Sequence, residues 1–184
     1  MIHKKHKMNK DQIVNQLKEK HQDFINYVLS LNESDYVFAL QNKWTAGQQL
    51  AHIIKSVVPV ANALSMPPNV LATTFGQANR LSIGYDELVV KYLNKLAEGG
   101  TAPSAFSPEN QIFIDRTKLQ QKLNAAMATL CEKVAVFSES DLDTYILPHP
   151  LLGKLTLREM LYFTIYHVQH HQKLVEMEYI KGQI

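Results

Sequence analysis

The chain has 184 residues, of which 46% are hydrophobic, and this is enough to bury one sizeable core. We therefore predict a single domain that spans residues 1–184. The 19 lysine and arginine residues nearly balance the 17 aspartate and glutamate residues and are spread along the chain, which argues against nucleic acid as a partner. No segment reaches the roughly 18 uninterrupted apolar residues of a membrane span, which argues against a membrane partner.

The cysteine content and the N-terminal stretch bear on the cellular compartment. Cys131 is the only cysteine in the sequence, so the chain cannot form an internal disulfide, and this fits a reducing environment. The N-terminal stretch is charged and contains no apolar run of signal-peptide length. We predict a soluble cytoplasmic protein in which residues 1–9 are flexible.

The first half of the chain carries two long helical patterns. The first extends from Asp11 to Leu31, and its apolar stripe includes His21, which we interpret as a core or rim histidine with a hydrogen-bond partner. The second begins where Thr45 and Gln48 form the pattern of a capping box, and it extends to about residue 64. A proline at position 59 predicts a kink or an early end of this helix, and the sequence Met-Pro-Pro at residues 66–68 stops it.

The second half contains three more helical patterns. Residues 69–112 are irregular except for Tyr85–Ala97, which predicts a short accessory helix closed by glycine. The third long helix extends from about Arg116 to Phe137, and the fourth begins at Thr156, which forms a second capping box with Glu159. These patterns predict an all-α fold: a four-helix bundle with an accessory short helix in the connection between the second and third long helices.

The fourth long helix contains the stretch Tyr-His-Val-Gln-His-His-Gln at residues 166–172. At about 100° per residue, His167 and His171 lie one turn apart within the inward-facing arc, while His170 lies near its edge. Two imidazoles at this spacing can bind a common metal ion, but hydrogen bonds to neighbouring side chains can also satisfy them. The spacing leaves both interpretations open, because a metal site needs a third ligand.

Two sequence motifs accompany this helix. One is the run His149–Glu159 (HPLLGKLTLRE) followed by His167-x-x-x-His171, and the other is Lys43-Trp44-Thr45 leading to Leu50-Ala51-His52. Together they resemble the DinB superfamily of four-helix metal-binding proteins, and most closely its YfiT-like and related DinB-like branches. The likeness extends over the second and fourth long helices and the accessory segment between them.

The resemblance implies a metal ion held by His52, His167 and His171. The spacing on the fourth helix agrees with this for two of the three. His52 does not agree, because the apolar residues of the second helix centre on its opposite side and the pattern alone predicts a solvent-facing histidine. A metal site at the floor of an open cleft, with water on one side, would reconcile a solvent-facing position of His52 with its role as a ligand. His149 precedes the start of the fourth helix, and we interpret it as a structural loop residue.

The resemblance also implies an activity. Three neutral imidazoles leave a divalent ion, which we expect to be zinc or nickel, its full positive charge and an open position, so it can activate water or a thiol. Members of the family include S-transferases that use bacillithiol, mycothiol or glutathione, and others are assigned as metal-dependent hydrolases. We expect a small-molecule substrate and a thiol S-transferase with a low-molecular-weight thiol as co-substrate. The alternatives are a metal-dependent hydrolase and a non-catalytic bundle that binds a metal or small ligand.

Two further expectations concern the surface. Arg80 is the one arginine between residues 66 and 84, where a cation could bind the carboxylates of a thiol cofactor, but we favour its interpretation as a solvated loop charge. Tyr162, Tyr166, Met177 and Tyr179 lie around the fourth helix beyond its inward arc. They predict a homodimer formed through helix surfaces.

Overall fold

The computed structural model describes residues 7–41, 43–109 and 115–182, without the side chains of residues 178–182. Its elements follow one another as α1 (Lys10–Ser30), α2 (Glu33–Val37), α3 (Ala46–Leu64), α4 (Pro68–Phe75), α5 (Tyr85–Ala97), α6 (Arg116–Val136), α7 (Glu139–Thr144), β1 (Ile146–His149), β2 (Gly153–Thr156) and α8 (Leu157–Gly182). The four long helices of the sequence prediction are therefore α1, α3, α6 and α8. The accessory helix is α5, with the predicted bounds.

The four long helices pack around one apolar core. Helix α1 packs on α6 and α8, and α3 packs on the same two helices, so each long helix has two long neighbours. Helix α5 lies against α8 from outside this bundle. The buried apolar side chains of all these elements form one continuous cluster. The predicted all-α four-helix bundle is confirmed, while the division of the whole chain into a single domain remains a prediction. No helix in the described ranges is long and apolar enough to cross a membrane.

The start of α1 shows how the N-terminal segment joins the bundle. Asn9 caps the helix through a capping box with Gln12. Just before it, the backbone N–H of Met8 donates to the Tyr162 hydroxyl at 2.9 Å, and the Met8 carbonyl accepts from the Arg158 guanidinium at 2.7 Å. Residues 1–6 of the segment predicted to be flexible lie outside the described residues, whereas Met8 is buried and hydrogen-bonded to α8.

Helix α3 keeps its predicted bounds in spite of its proline. Thr45 and Gln48 form the predicted capping box, and the helix ends at Leu64. The chain remains helical through Pro59, so of the two expected effects of this proline the early end of the helix is wrong, while the kink stays a prediction. The packing of α3 on α6 and α8 holds this part of the chain in helical form although proline supplies no backbone N–H group.

Several short elements were not evident from the sequence. Helices α2, α4 and α7 have between five and eight residues, too few for apolar periodicity to identify them. Strands β1 and β2 form an antiparallel hairpin in which His149 pairs with Gly153, which has φ +76°. Strand β2 leads directly into α8: its last residue, Thr156, caps the helix and forms the predicted capping box with Glu159. The hairpin therefore lies beside the start of α8.

His21 has the structural role that its spacing predicts. Its side chain is buried between turns of α1 and the bundle core, and its Nδ1 lies 2.8 Å from the carbonyl oxygen of Leu17. Burial lowers the pKa of His21 to about 4, so the imidazole is neutral at physiological pH. The side chain is a core histidine with a backbone partner, as interpreted from the sequence.

Candidate metal centre

Three histidines from two helices converge at one point in the bundle. His52 projects from α3, and His167 and His171 project from successive turns of α8. The Nε2 atom of His167 lies 3.2 Å from Nε2 of His52 and 3.0 Å from Nε2 of His171. All three side chains are buried, with at most 6% of their surface exposed. The structure thus brings together the three residues that the sequence resemblance implied.

The opposite ring nitrogens of two of these histidines fix their tautomers. Nδ1 of His52 lies 2.8 Å from the carbonyl oxygen of Phe106, and Nδ1 of His171 lies 2.5 Å from Oε1 of Gln49. Both oxygens are acceptors, so each Nδ1 carries the hydrogen and donates it. The Nε2 atoms of His52 and His171 therefore present lone pairs to the centre of the cluster.

This arrangement fits a divalent cation. In the neutral state, the Nε2 atom of His167 can carry at most one hydrogen, which can satisfy only one of the two lone pairs that face it. Three nitrogen ligands at the 2.0–2.1 Å typical of zinc, in tetrahedral geometry, would lie roughly 3.3 Å apart, close to the separations found here. Hydrogen bonds from Nδ1 to carbonyl oxygens are also the usual outer partners of metal-binding histidines.

The electrostatic surroundings keep the cluster neutral. Burial, and then the neighbouring histidines, lower the pKa values of His167 and His171 well below 6.5. The pKa of His52 is lowered as well, mainly by burial and in part by the charge of Lys55. The imidazoles are therefore unprotonated at neutral pH, which is the form that binds a metal.

His52 corrects one expectation from the sequence pattern. Its side of α3 is polar, which predicted exposure to solvent, but only 3% of its surface is exposed. The reason is that residues 106–109, which follow α5, lie over this side of the helix. Gln48, His52 and Lys55 donate hydrogen bonds to the backbone carbonyls of this segment, those of Glu109, Phe106 and Ser107 respectively. The polar stripe of α3 thus binds a covering segment, which shields His52 from solvent.

The cluster forms part of the wall of a cavity of about 580 Å³. Aromatic and aliphatic side chains form most of the remaining wall: Trp44, Val60, Phe75, Tyr92, Leu96, Phe106, Leu147, Met160, Phe163 and Leu174. Of the described residues that line it, only Lys43 carries a fixed charge, and Lys43 is exposed. A cavity of this size and character accommodates a small, largely apolar molecule next to the histidine cluster.

Three other sequence-predicted residues lie outside the cluster. His170 lines the cavity beside it, with its ring centroid 5.3 Å from that of His171. His149 lies at the end of β1, where its Nδ1 accepts hydrogen bonds from the backbone of the hairpin turn. Arg80 lies in a loop with 41% of its side chain exposed, as interpreted from the sequence, and it also forms a bidentate pair with the buried carboxylate of Glu159, at 2.5 and 2.8 Å. It is not among the residues that line the cavity.

The fold and the site define a helical bundle protein with a candidate three-histidine metal centre. Residues 16–175 match the family model of the DinB superfamily, and the chain belongs to that superfamily. The chain is also similar to the uncharacterized protein YuaE of Bacillus subtilis (strain 168), with 31% identity over 83 residues. That alignment covers 45% of this chain and 49% of YuaE, so the chain spans about half the length of this relative. No solved structure matches the chain.

Sequence reasoning missed the residues that surround the three histidines. Gln49 follows Gln48 in the capping region of α3, and nothing in its spacing distinguishes it from a solvated glutamine. Phe106 acts through its backbone carbonyl, which leaves no trace in the side-chain pattern. Tyr92 and Phe163 follow the apolar periodicity of α5 and α8, so they could be identified as buried but not as cavity wall.

Proposed function

We propose that the protein is a metal-dependent enzyme that transfers a low-molecular-weight thiol to an apolar small molecule, with His52, His167 and His171 as the metal ligands. The observation that supports this most strongly is the convergence of three neutral Nε2 atoms on the wall of an apolar cavity. A structural metal site is closed by protein ligands, whereas three ligands beside a cavity leave a position for a reactant.

The residues at this site have three different roles. The three histidines would hold a divalent ion, which supplies Lewis-acid chemistry and lowers the pKa of a thiol or water bound to it. Gln49 and the carbonyl of Phe106 orient two of the imidazoles. The apolar wall excludes water and holds the electrophile beside the cluster.

His170 is in position to accept the thiol proton. It lines the cavity next to His171, and burial lowers its pKa, so its imidazole is neutral and available as a base. In the transfer, a bond forms between the thiol sulfur and the electrophilic carbon while the bond from that carbon to the leaving group breaks. The thiol proton goes to His170, and the leaving group departs with its electron pair.

A hydrolase is the second candidate, and the charge of the cavity favours it. Bacillithiol, mycothiol and glutathione are polar molecules, and the first and last carry carboxylates. Of the described lining residues, only Lys43 could pair with such a group, since Arg80 is bound to Glu159. Hydrolysis of an apolar ester or amide needs no cation to bind a thiol, so the same three-histidine site could use water in its place.

The thiol proposal predicts metal-dependent conjugation. Zinc- or nickel-loaded protein should conjugate 1-chloro-2,4-dinitrobenzene with at least one of bacillithiol, mycothiol, glutathione and 2-mercaptoethanol, and treatment with a chelator should abolish the reaction. The measurement is thioether formation by absorbance, compared with protein-free controls for each thiol. His170→Gln should keep its metal and lose roughly a factor of 10² or more in rate, because proton transfer contributes about that much.

Two results would separate the candidates. Intact metal content without conjugation by any thiol, combined with metal-dependent cleavage of an apolar ester, would replace the transferase by the hydrolase. Intact metal content with neither reaction would favour a non-catalytic binding role. Nitrogen ligands bind zinc and nickel alike, so the native metal is identified by elemental analysis of protein purified from its own host. A cytoplasmic location is part of this proposal, because the cavity would meet low-molecular-weight thiols there.

A homodimer also remains a proposal, and its predicted surface needs correction. Tyr162 is fully buried within the chain and cannot contact a partner, so its assignment to that surface is wrong. Tyr166 is half-buried, Met177 is 52% exposed, and the side chain of Tyr179 lies outside the described residues. Light scattering at micromolar concentration should give twice the mass of the chain, and a monomer mass would remove the proposal.

A further inference from the structure

His149 carries a hydrogen-bond donor that the fold itself does not use. Its Nδ1 accepts hydrogen bonds from the backbone N–H groups of Leu151 and Leu152, at 3.2 and 3.1 Å. A ring nitrogen that accepts two hydrogen bonds bears no hydrogen, so in the neutral imidazole the hydrogen is on Nε2. Burial, together with the charge of Lys91, lowers the pKa of His149 to about 4, which keeps the ring neutral. In the described chain, no acceptor takes the Nε2–H group, although His149 lines the cavity.

Tyr92 provides a second such donor. Its ring lines the cavity and is 5% exposed, and no residue in the described ranges hydrogen-bonds to its hydroxyl. Burial raises the pKa of Tyr92 to about 12, so the hydroxyl keeps its hydrogen. A buried tyrosine usually finds a partner for its hydroxyl, which makes a free hydroxyl at a cavity wall a candidate contact for a bound molecule.

Both donors lie around one aromatic ring that also contacts the histidine cluster. The centroid of Phe163 lies 4.2 Å from the His149 ring, 5.2 Å from the Tyr92 ring and 4.6 Å from the His167 ring. The two donors and one residue of the cluster are therefore neighbours of the same phenyl group. A molecule of a few carbon atoms that lies over Phe163 can therefore contact both the donors and the histidine cluster.

We propose that His149 and Tyr92 form a donor pair that binds a carbonyl-type oxygen of the substrate, so that the cavity selects apolar molecules that carry such an oxygen. This inference rests on the proposed function only in treating the cavity as the substrate site. His149 can only donate here, since its Nδ1 lone pair is used by the backbone, whereas the Tyr92 hydroxyl can donate or accept. A carbonyl-type oxygen, which only accepts, is therefore a group that both side chains can bind, and the cavity contains no fixed anion among its described residues that would compete for them. The cavity wall between the two side chains is apolar, so the rest of the bound molecule should be uncharged.

Two probes of the same shape test the pair. Cyclohexanone and methylenecyclohexane differ only in the replacement of an oxygen by a CH₂ group, and ligand-observed NMR can measure the weak binding of both. The titrations use the full chain, both zinc-loaded and treated with a chelator, so that a contact between oxygen and metal can be recognised. We expect the metal-free wild type to bind the ketone about fivefold or more tightly than the alkene, which is the effect of a net hydrogen bond.

Matched variants assign this preference to the two side chains. Tyr92→Phe removes only the hydroxyl, and His149→Asn keeps an acceptor for the turn while it lacks the Nε2–H group. Each should weaken ketone binding about fivefold and leave alkene binding unchanged. Tyr166→Phe is the control, because Tyr166 packs against Tyr92 but does not line the cavity, and it should alter neither affinity.

Three results would overturn the inference. These are equal binding of the two probes to metal-free wild type, binding of neither probe, and a parallel loss of both affinities in the variants, which would indicate a structural effect. Absence of catalysis does not affect this test, because the titrations measure the binding of the probes to metal-free protein. Failure of the proposed reaction and failure of the donor pair are therefore observed separately.

Discussion

Replacing His167 by alanine should lower the affinity for divalent metal by more than about a hundredfold. Removal of a group that only hydrogen-bonds to a metal ligand already lowers metal affinity by up to about a hundredfold, and removal of the ligand itself should cost more. His167 is the central member of the cluster, since its Nε2 atom lies within 3.2 Å of the Nε2 atoms of both other histidines. Without it, only two ligand nitrogens remain, those of His52 on α3 and His171 on α8, and two ligands do not define a tight site. His52→Ala and His171→Ala should have similar effects.

The sole tryptophan of the sequence reports on this site directly. The ring centroid of Trp44 lies 5.0 Å from that of His52 and 6.3 Å from that of His171, so bound nickel should quench its fluorescence. Titration of wild type and variants, supported by elemental analysis, measures the affinity. His170→Ala is the matched control, because it removes a neighbouring imidazole of α8 and should keep the metal. Unchanged metal content in the His52 variant would refute its assignment as a ligand.

The pH dependence of metal binding follows from the burial of the cluster. An ordinary histidine with a pKa of about 6.5 loses metal to protons as the pH falls through that value. Burial lowers the pKa values of His167 and His171 well below 6.5, so protons compete with the metal only at a correspondingly lower pH. We expect the fluorescence titration to show nearly full affinity at pH 6.5 and a decline further towards acid.

The long helices were predictable because their information is local. Helices α1, α3, α5, α6 and α8 each carry an apolar stripe over at least three turns, and α3 and α8 also carry capping boxes at their starts. Helices α2, α4 and α7 and the β1–β2 hairpin are too short for a periodic pattern, and their neighbours in space stabilise them. The hairpin matters most among these, since it places His149 at the cavity wall.

The candidate site was predictable in part for the same reason. His167 and His171 share the buried arc of one helix, so periodicity placed them together. His52 came only from the resemblance, because its burial depends on a segment some fifty residues away in sequence whose carbonyl at Phe106 accepts its hydrogen. Local pattern cannot show that a polar helix face will be covered by backbone carbonyls, and this is why exposure was wrongly predicted there.

Arg158 is the second position where a single substitution should have a large effect. Its guanidinium is fully buried and donates to the Met8 carbonyl, to Glu139 at 2.6 Å and to Asp143 at 2.7 Å. It thereby joins the start of α8 to α7 and to the segment that precedes α1. Arg158→Met keeps the length of the side chain but removes the charged donor from the Met8 carbonyl and from the carboxylates of Glu139 and Asp143, which keep only their other partners. This should lower the free energy of unfolding by about 3 kcal/mol.

Urea unfolding at pH 7 measures this loss, with Lys95→Met as the control. Lys95 pairs with Glu98 on the exposed side of α5, so its removal should leave the unfolding midpoint unchanged. A midpoint for Arg158→Met equal to that of wild type would show that the buried network contributes nothing net. In that case the desolvation of the buried charge would cancel the gain from its ion pairs.

The pH dependence of this difference identifies the ion pair as its source. Burial opposes the ionisation of Asp143, but hydrogen bonds from Arg158, Lys7 and Ser82 outweigh it and lower the pKa of this carboxyl to about 2, from 3.8. A carboxyl with a lowered pKa in the folded state stabilises the fold above its unfolded pKa, and this contribution is lost as the pH falls through the folded value. The difference between wild type and Arg158→Met should therefore be constant from pH 7 to about 5 and shrink below pH 4. A difference that stays constant down to pH 3 would assign the loss to packing and to the Met8 carbonyl, and not to the carboxylates.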